Sequence, residues 1–363
     1  MGMMRAVRLK IIERAVLKEL TVTFFLSLLS LNFFLLMEKV LRLSRLLSGV
    51  GASLFDMMRI LLYIQPQLML LTIPMALLLA ALLTYGRLNA DSELTALKAA
   101  GMPFRDICRP LFVLGTGSFL FGLLVSFSIS PLSATKLRDA LIKIIMQRAP
   151  LAIEAGIFNT SFKDVVILVR AKPEPDRMNG IFIYDSRDKK EPKALTAKEG
   201  RIYTDNENNL SLFLKNGFIH IEKAESSIEI FFDGYKLSLN LMTEGPLRKN
   251  SEMTPRELLR EAAGKDEKER IALLLEFHRR LSLPVLCFVL VFLGPPLALI
   301  SGKSGRLGGL TIGLAVFTIF YVALVYAENA VRSGILPHYV GAWTPIFILG
   351  VCSLLAFRKA GSR

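Results

Sequence analysis

The chain has 363 residues, and its 52% hydrophobic content exceeds only slightly the ~45–50% of soluble proteins, but the excess is concentrated in six long uncharged runs. This concentration excludes a soluble enzyme, a disordered chain and a collagen-like fibre. The formal net charge of +14 does not indicate nucleic-acid binding, because the cytoplasmic loops of membrane proteins carry an excess of lysine and arginine.

Each of the six runs is long enough for a membrane-spanning helix, since about 18–20 apolar residues cross a hydrocarbon core of ~30 Å. The runs are residues 20–37, 60–86, 110–135, 281–302, 307–327 and 333–357. Between Lys136 and Arg280 no uncharged run exceeds eight residues. The sequence therefore predicts an α-helical membrane protein with six transmembrane helices, three on each side of a water-exposed insertion.

The basic residues beside the runs predict the orientation of the chain. With a cytoplasmic N-terminus, fourteen lysines and arginines lie on the inner side and five on the outer side. The insertion is left out of this comparison, because long segments cross the membrane largely regardless of charge. Both termini are therefore expected in the cytoplasm, and the insertion is expected outside.

Within the insertion the hydrophobic period changes to two, as in residues 218–222, 228–233 and 236–241. Strict alternation is typical of strands that bury one face. Further candidate strands are residues 162–170, 180–185, 197–204 and 210–214. We expect an inserted all-β domain of the sandwich or jelly-roll type.

The chain returns to the membrane through Thr254, Pro255 and Glu257, a capping box that predicts a helix. We expect this helix to end near Gly264 and a second one to continue into the fourth span. The predicted domains are residues 1–135 for the first membrane half, 136–250 for the β-domain, 251–280 for a helical connector and 281–363 for the second membrane half.

Glycine recurs every four residues at the start of the fifth span, at Gly305, Gly309 and Gly313. Small residues on one helical face let helix backbones approach closely in lipid. The pattern leaves two alternatives open, which are packing within the chain and packing on a second transmembrane subunit.

The sequence carries no motif that indicates catalysis. Gly302-Lys303-Ser304 ends like a phosphate-binding loop, but Leu297 occupies the position of the required first glycine. The three histidines are scattered, and none of the three cysteines lies in the insertion. Neither enzymatic activity nor a cofactor is therefore expected, and any energy source must come from a partner.

A short cytoplasmic helix, at about residues 89–101, is predicted between the second and third spans. Asp91 and Glu93 lie in its first turn, where the helix dipole favours acidic side chains. Gly101 and Pro103 end it.

Residues 86–103 closely resemble the signature of the LptF/LptG permease family, the membrane subunits of the lipopolysaccharide-export ABC transporter. The arrangement of three spans, insertion and three spans resembles the same family. So do Leu336-Pro337 and Trp343-Thr344-Pro345 near the C-terminus. Residues 38–42 and 279–284, with Gly305-Arg306, are more similar to the LptF half than to LptG.

The resemblance implies a permease that pairs with a sister LptG-like permease and with a cytoplasmic LptB-like ATPase dimer in the bacterial inner membrane. Together they would extract lipopolysaccharide from the outer leaflet. The insertion would be a periplasmic β-jelly-roll that stacks edge to edge on LptC-like and LptA-like β-domains, since an unpaired sheet edge is a template for another chain. An alternative function is a membrane-anchored periplasmic scaffold or receptor without transport.

The same resemblance implies that the short cytoplasmic helix docks in the ATPase groove. The expected ATPase-coupling residues are Asp91, Ser92, Glu93, Leu94 and Leu97. Glu93 would be the principal polar contact. The alternative for Glu93 is that it only complements the dipole of its own helix.

Three basic residues at the outer end of the first span lie where the positive-inside bias disfavours them. Lys39, Arg42 and Arg45 recur every three residues and therefore share one side of a continued helix. One explanation is that they snorkel to acidic headgroups of ordinary phospholipid. The resemblance implies instead that Lys39 and Arg42 line the entrance of a lipid cavity and pair with lipid A phosphates. Arg45 is included by its spacing alone.

Overall fold

The computed structural model describes residues 2–47, 53–152, 155–162, 164–174, 176–188, 192–204, 210–223, 226–239, 250–300 and 305–361. The chain divides into two compact units. One unit comprises Met1–Lys39, Leu61–Lys136 and Lys249–Arg363, and the other comprises Val40–Ile60 and Leu137–Arg248.

Long apolar helices dominate the first unit. The described helices are α1 (Gly2–Leu47), α2 (Leu54–Ala90), α3 (Glu93–Ala99), α4 (Phe104–Leu124), α5 (Ser130–Ala152), α6 (Pro255–Ala262), α7 (Glu267–Ile300), α8 (Gly305–Arg332) and α9 (His338–Gly361). In the described ranges, six segments are long and apolar enough to cross a membrane: Ile11–Leu41, Leu54–Ala90, Phe104–Ile142, Glu267–Ile300, Gly308–Arg332 and His338–Gly361. Each predicted span corresponds to one of them, so the predicted multi-pass helical membrane protein is confirmed.

The third span is continuous from α4 into α5 through a π-helical segment, Val125–Ile129. Ser126 in this segment is fully buried, and its hydroxyl donates a hydrogen bond of 2.8 Å to the carbonyl of Arg280 in α7. Helix α5 continues to Ala152, so the strands occupy only the later part of the predicted β-domain.

Small residues bring α4 close to α7. Gly115, Ser118 and Gly122 are all buried on one face of α4. A Cβ atom at Gly115 would overlap the side chain of Val291, and one at Gly122 would lie 3.4 Å from Cβ of Pro284. The glycines therefore set the distance between these two helices, as close packing in a membrane requires.

Replacing Gly115 by alanine should lower stability, because overpacking a filled interface costs about 1–3 kcal/mol and outweighs the gain in helix propensity. Gly117→Ala is the matched control, since nothing lies within 4 Å of a Cβ atom at that position. Thermal unfolding of both variants in detergent measures the difference. Equal melting temperatures would contradict the packing argument.

The predicted capping box forms at the start of α6. Glu257 accepts a hydrogen bond of 2.8 Å from the backbone N–H of Thr254, while the Thr254 hydroxyl accepts one of 3.4 Å from the N–H of Glu257. Two otherwise unpaired N–H groups are satisfied in this way.

Arg280 fastens α7 to the segment that precedes α6. This residue is 3% exposed. Its Nε donates to the carboxylate of Glu276 at 3.1 Å, and its Nη2 donates to the carbonyls of Asn250 and Ser251 at 2.9 and 3.0 Å. Its Nη1 donates to the carbonyl of Met253. One buried guanidinium thus fixes the path by which the chain enters the fourth span.

The second unit contains an antiparallel sheet. Its strands are β1 (Phe158–Phe162), β2 (Val165–Glu174), β3 (Arg177–Asp185), β4 (Lys193–Thr204), β5 (Leu210–Lys223) and β6 (Ser226–Leu239). They lie in the sheet in the same order as in the chain. Thirteen buried side chains from β2 to β6 form one apolar cluster.

A crease crosses five strands of this sheet. In β3 the buried residues Met178 and Ile181 are separated by two exposed residues, Asn179 and Gly180, so the inward-outward alternation shifts by one residue. The other four strands have the same pair of exposed residues at equivalent positions of the register, at 170–171, 198–199, 215–216 and 233–234. Gly180 and Asn216 have positive φ angles of 63° and 52°. Two successive outward residues bend a strand, as β-bulges do, and here the bends are aligned.

The crease explains why the sequence suggested more and shorter strands. Residues 210–214 and 218–222 are the two parts of β5, and residues 228–233 and 236–241 overlap the two parts of β6. The alternation restarts in the opposite phase after the crease, so each long strand looks like two.

The inserted all-β domain is confirmed, but the connectivity of the described strands is an up-and-down meander and not that of a jelly roll. The cause is the length of the connections. Only two residues separate β2 from β3, and two separate β5 from β6. Such short connections force consecutive strands to pair as hairpins.

Asp185, at the end of β3, should contribute to the stability of the sheet. Burial acts to raise the pKa of this carboxyl, but hydrogen bonds from Arg187 outweigh it and hold the pKa below its usual value. Arg187 also donates to the carbonyl of Ser238 in β6 at 2.9 Å. The ion pair therefore links β3 to β6 across the intervening strands.

Asp185→Asn should destabilise the protein by about 2 kcal/mol at neutral pH, the typical contribution of hydrogen bonds to a charged group. A carboxyl with a lowered pKa stabilises the fold above its unfolded pKa, and the contribution is lost as pH falls through the folded pKa. The difference in melting temperature between parent and variant should therefore vanish in acid. A difference that stays constant down to acid pH would contradict this account.

Candidate functional site

A left-handed turn separates α2 from the short helix α3. Helix α2 continues to Ala90, and Ser92 has a φ angle of 59° before α3 begins at Glu93. The helix predicted over residues 89–101 is therefore shorter than expected. Its first two residues belong to α2, and the turn directs the new helix along a different path.

A glycine motif ends α3. Gly101 has a φ angle of 81°, and its N–H donates to the carbonyl of Lys98 at 2.9 Å. The N–H of Met102 donates to the carbonyl of Leu97 at 3.2 Å. These two bonds form a Schellman motif, which closes the helix and satisfies its last carbonyls.

Two leucines anchor α3 to the membrane unit. Leu94 is 2% exposed and belongs to the same apolar cluster as Leu88, Phe104 and Ile107. Leu97 packs against this cluster. The two leucines among the predicted ATPase-coupling residues therefore support α3 from within the chain, while the acidic side chains face outward.

Arg87 forms ion pairs with the acidic side chains at the start of α3. Its Nη1 donates to Asp91 at 3.1 Å and to Glu93 at 3.0 Å. Its Nε and Nη2 donate to both carboxylate oxygens of Glu19 in α1, at 2.6 and 2.7 Å. Asp91 and Glu93 remain about half exposed, at 53% and 49%. Three carboxylates thus share one guanidinium among the residues that the structure describes.

Sequence reasoning missed Glu19 and Arg87 as members of this cluster. Arg87 and Asp91 are four residues apart, a spacing at which helical side chains meet, so that pair had a sequence signal. Glu19 directly precedes the first uncharged run, but the neighbouring sequence does not indicate that its partner is Arg87, 68 residues further along the chain.

Two of the three predicted packing glycines face α2 within the chain. A Cβ atom at Gly309 would lie 3.4 Å from the carbonyl oxygen of Leu82, and one at Gly313 would lie 2.8 Å from the side chain of Leu79. This geometry favours packing within the chain for these two positions. The surroundings of Gly305 lie outside the described part of the structure.

The basic residues at the C-terminal end of α1 are only partly described. The ammonium of Lys39 lies 3.8 Å from the carboxylate of Glu38, and the Lys39 side chain is 31% exposed. Arg42 and Arg45 continue α1, and their side chains lie outside the described residues. Their pairing with lipid phosphate stays a prediction.

Comparison with known proteins identifies the chain's relatives. An uncharacterized protein of Rickettsia prowazekii (strain Madrid E), RP871, is 24% identical over 285 residues, which cover 76% of this chain and 78% of that protein. A family model described as lipopolysaccharide export system permease LptF/LptG matches residues 14–359, nearly the whole chain. The chain therefore belongs to the LptF/LptG family of lipopolysaccharide export permeases.

Proposed function

We propose that this protein is a transmembrane subunit of an ABC transporter that extracts lipopolysaccharide from the inner membrane for export to the outer membrane. The observation that carries the proposal is the acidic surface of α3, anchored by buried Leu94 and presented beside the ends of the spans. Family members are permease components and not enzymes, so ATP hydrolysis belongs to a partner. The nearer likeness to the LptF half stays a prediction.

The ATPase is proposed to contact α3 through Glu93, with Asp91 and Ser92 beside it. Leu94 and Leu97 keep the helix in place and so act indirectly. A basic side chain of the ATPase suits this surface, because Asp91 and Glu93 are about half exposed and share the single charge of Arg87 with Glu19. A hydrogen bond to a charged group contributes about 1.5–3 kcal/mol.

The β-domain is proposed to lie in the periplasm and to join LptC-like and LptA-like β-domains in a bridge for the lipid. Strand β6 lies at one edge of the sheet and exposes Ile230 and Phe231, the latter at 77%. An edge strand with apolar side chains is suited to pairing with another chain. The division of the chain into residues 1–135, 136–250, 251–280 and 281–363 is part of the same proposal.

Lys39 and Arg42 are proposed to receive the phosphates of lipid A at the outer end of α1. Arg42→Glu should abolish lipopolysaccharide crosslinking and release in reconstituted vesicles, and Arg42→Lys should impair them, because lysine cannot hold phosphate bidentately. Arg59→Glu is the control on the same side of the membrane. Lipid capture by Arg42→Glu at the parental rate would refute the phosphate role.

The proposed orientation places both termini in the cytoplasm. In a cysteine-free background, Lys198→Cys, at an exposed position of β4, should react with a membrane-impermeant thiol reagent in intact spheroplasts. Lys359→Cys near the end of α9 should react only after lysis. Labelling of Lys359→Cys in intact spheroplasts would contradict the six-span orientation.

Purification of the tagged chain from its native membrane tests the proposed assembly. We expect a second permease and an ABC ATPase to be recovered with it. A scaffold or receptor would be recovered with periplasmic proteins alone, and that result would overturn the proposal.

A further inference from the structure

Arg87 contacts the first span and the short helix α3 with opposite sides of the same guanidinium. The Nε and Nη2 atoms hold Glu19 of α1, and Nη1 holds Glu93 of α3. We call Glu19, Arg87 and Glu93 the Arg87 clasp. Because a guanidinium is a rigid planar fork, a change in its contact with Glu93 alters its geometry toward Glu19.

Helix α1 packs on the rest of the unit along one face, where Leu20, Phe24 and Leu28 are buried in the apolar cluster. The rest of its surface is open: only 28% of the residues in its most apolar stretch are buried. Phe25, Leu29 and Phe33 are 60%, 70% and 72% exposed. Deeper in the span, Asn32 donates a hydrogen bond of 3.1 Å to Thr72 of α2, with both residues buried. Together with this buried bond and the apolar contacts of α1, the clasp is a polar contact that holds the inner part of α1 against α2.

A groove of about 460 Å³ opens between α1, α2 and α8 beside the clasp. Glu19 and Arg87 line it, together with Thr23, Ser27 and Ser30 of α1. A displacement of α1 at the clasp therefore changes the width of this groove directly.

We infer that Arg87 is a positioning residue that couples ATPase binding at α3 to a displacement of α1. A cationic side chain of the ATPase that pairs with Glu93 competes with Arg87 for that carboxylate. The guanidinium then shifts toward Glu19 and Asp91, and α1 and the groove move with it. This inference rests on the proposed function, because it requires an ATPase on α3.

The test uses the purified complex with its ATPase, reconstituted in vesicles that contain lipopolysaccharide. ATP turnover and lipid release are measured on the same samples for Glu19→Gln and Arg87→Lys. Glu13→Gln is the matched control, since Glu13 lies on the same helix and pairs with Arg109 of α4 at 3.6 Å. Arg87→Lys keeps the charge and provides a second readout should Glu19→Gln fold poorly.

We expect Glu19→Gln and Arg87→Lys to bind the ATPase and hydrolyse ATP at near the parental rate, but to release at least about fivefold less lipid per ATP, the lower bound of typical coupling between sites. Glu13→Gln should resemble the parent. Unchanged lipid release per ATP in both clasp variants would overturn the inference. So would an equal loss in Glu13→Gln, or a loss of ATPase binding in the clasp variants. Failure of the parent complex to release lipid would instead overturn the proposed function, and with it the proposed role of the Arg87 clasp.

Discussion

Replacing Glu93 by arginine should abolish recovery of the ATPase with this chain. The substitution removes the proposed acceptor for a basic side chain of the partner. It also places a second cation beside Arg87, which lies 3.0 Å from the native carboxylate. Glu93→Gln removes only the charge, and a loss of about 1.5–3 kcal/mol predicts an association weaker by about ten- to 150-fold.

Asp106→Asn is the control for the loss of an acidic charge near α3, because Asp106 lies in the first turn of α4. We expect this variant to assemble like the parent. All three variants should elute as folded protein on size exclusion. Parental recovery of the ATPase by Glu93→Arg would refute the docking role and leave Glu93 as a group that complements its own helix dipole.

Replacing Arg280 by methionine should destabilise the membrane unit severely. Removal of this guanidinium leaves the carbonyls of Asn250, Ser251 and Met253 without this donor. Glu276, which is 14% exposed, loses its buried ion pair and keeps the one to the more exposed Arg279. Breaking a buried ion pair from one side typically costs about 3–5 kcal/mol. We therefore expect a large fall in the yield and melting temperature of detergent-solubilised protein.

Arg279→Met provides the comparison for Arg280→Met. Arg279 pairs with the same Glu276 at 2.7 Å, but its side chain is 34% exposed. A partly exposed ion pair contributes about 0–1 kcal/mol, so this variant should melt near the parent. If both variants lost the same stability, the buried network would not be what holds the start of α7.

The membrane helices and the connector were predictable because their signals are local. An uncharged run of 18 or more residues has few alternatives to a spanning helix. The Thr254 capping box likewise depends on residues three positions apart, and both of its hydrogen bonds form. The sequence also indicated β2 to β6, but it missed β1 and could not join the halves of β5 across Asn216, because the shift in phase imitates a turn.

The candidate site was predictable only in part. The sequence pointed to Asp91 and Glu93, but the contact of Arg87 with Glu19 depends on how α1 and α2 pack over 68 residues of sequence separation. The sequence groups Leu94 with the ATPase-coupling residues but does not show which way its side chain points, and in the structure it is buried in the cluster that contains Leu88 and Phe104. A two-turn helix with an apolar side offers that side either to a partner or to its own core, and only the tertiary structure decides between them.

ATP-driven transfer of lipopolysaccharide tests the central claim most directly. Vesicles that contain lipopolysaccharide, this chain, its sister permease and the ATPase would be mixed with a soluble periplasmic β-domain that carries a photocrosslinker. We predict that crosslinked lipid accumulates with ATP, but neither with a non-hydrolysable analogue nor when this chain is omitted. Equal transfer without this chain, or no transfer by a complex that hydrolyses ATP, would contradict its role as the export permease.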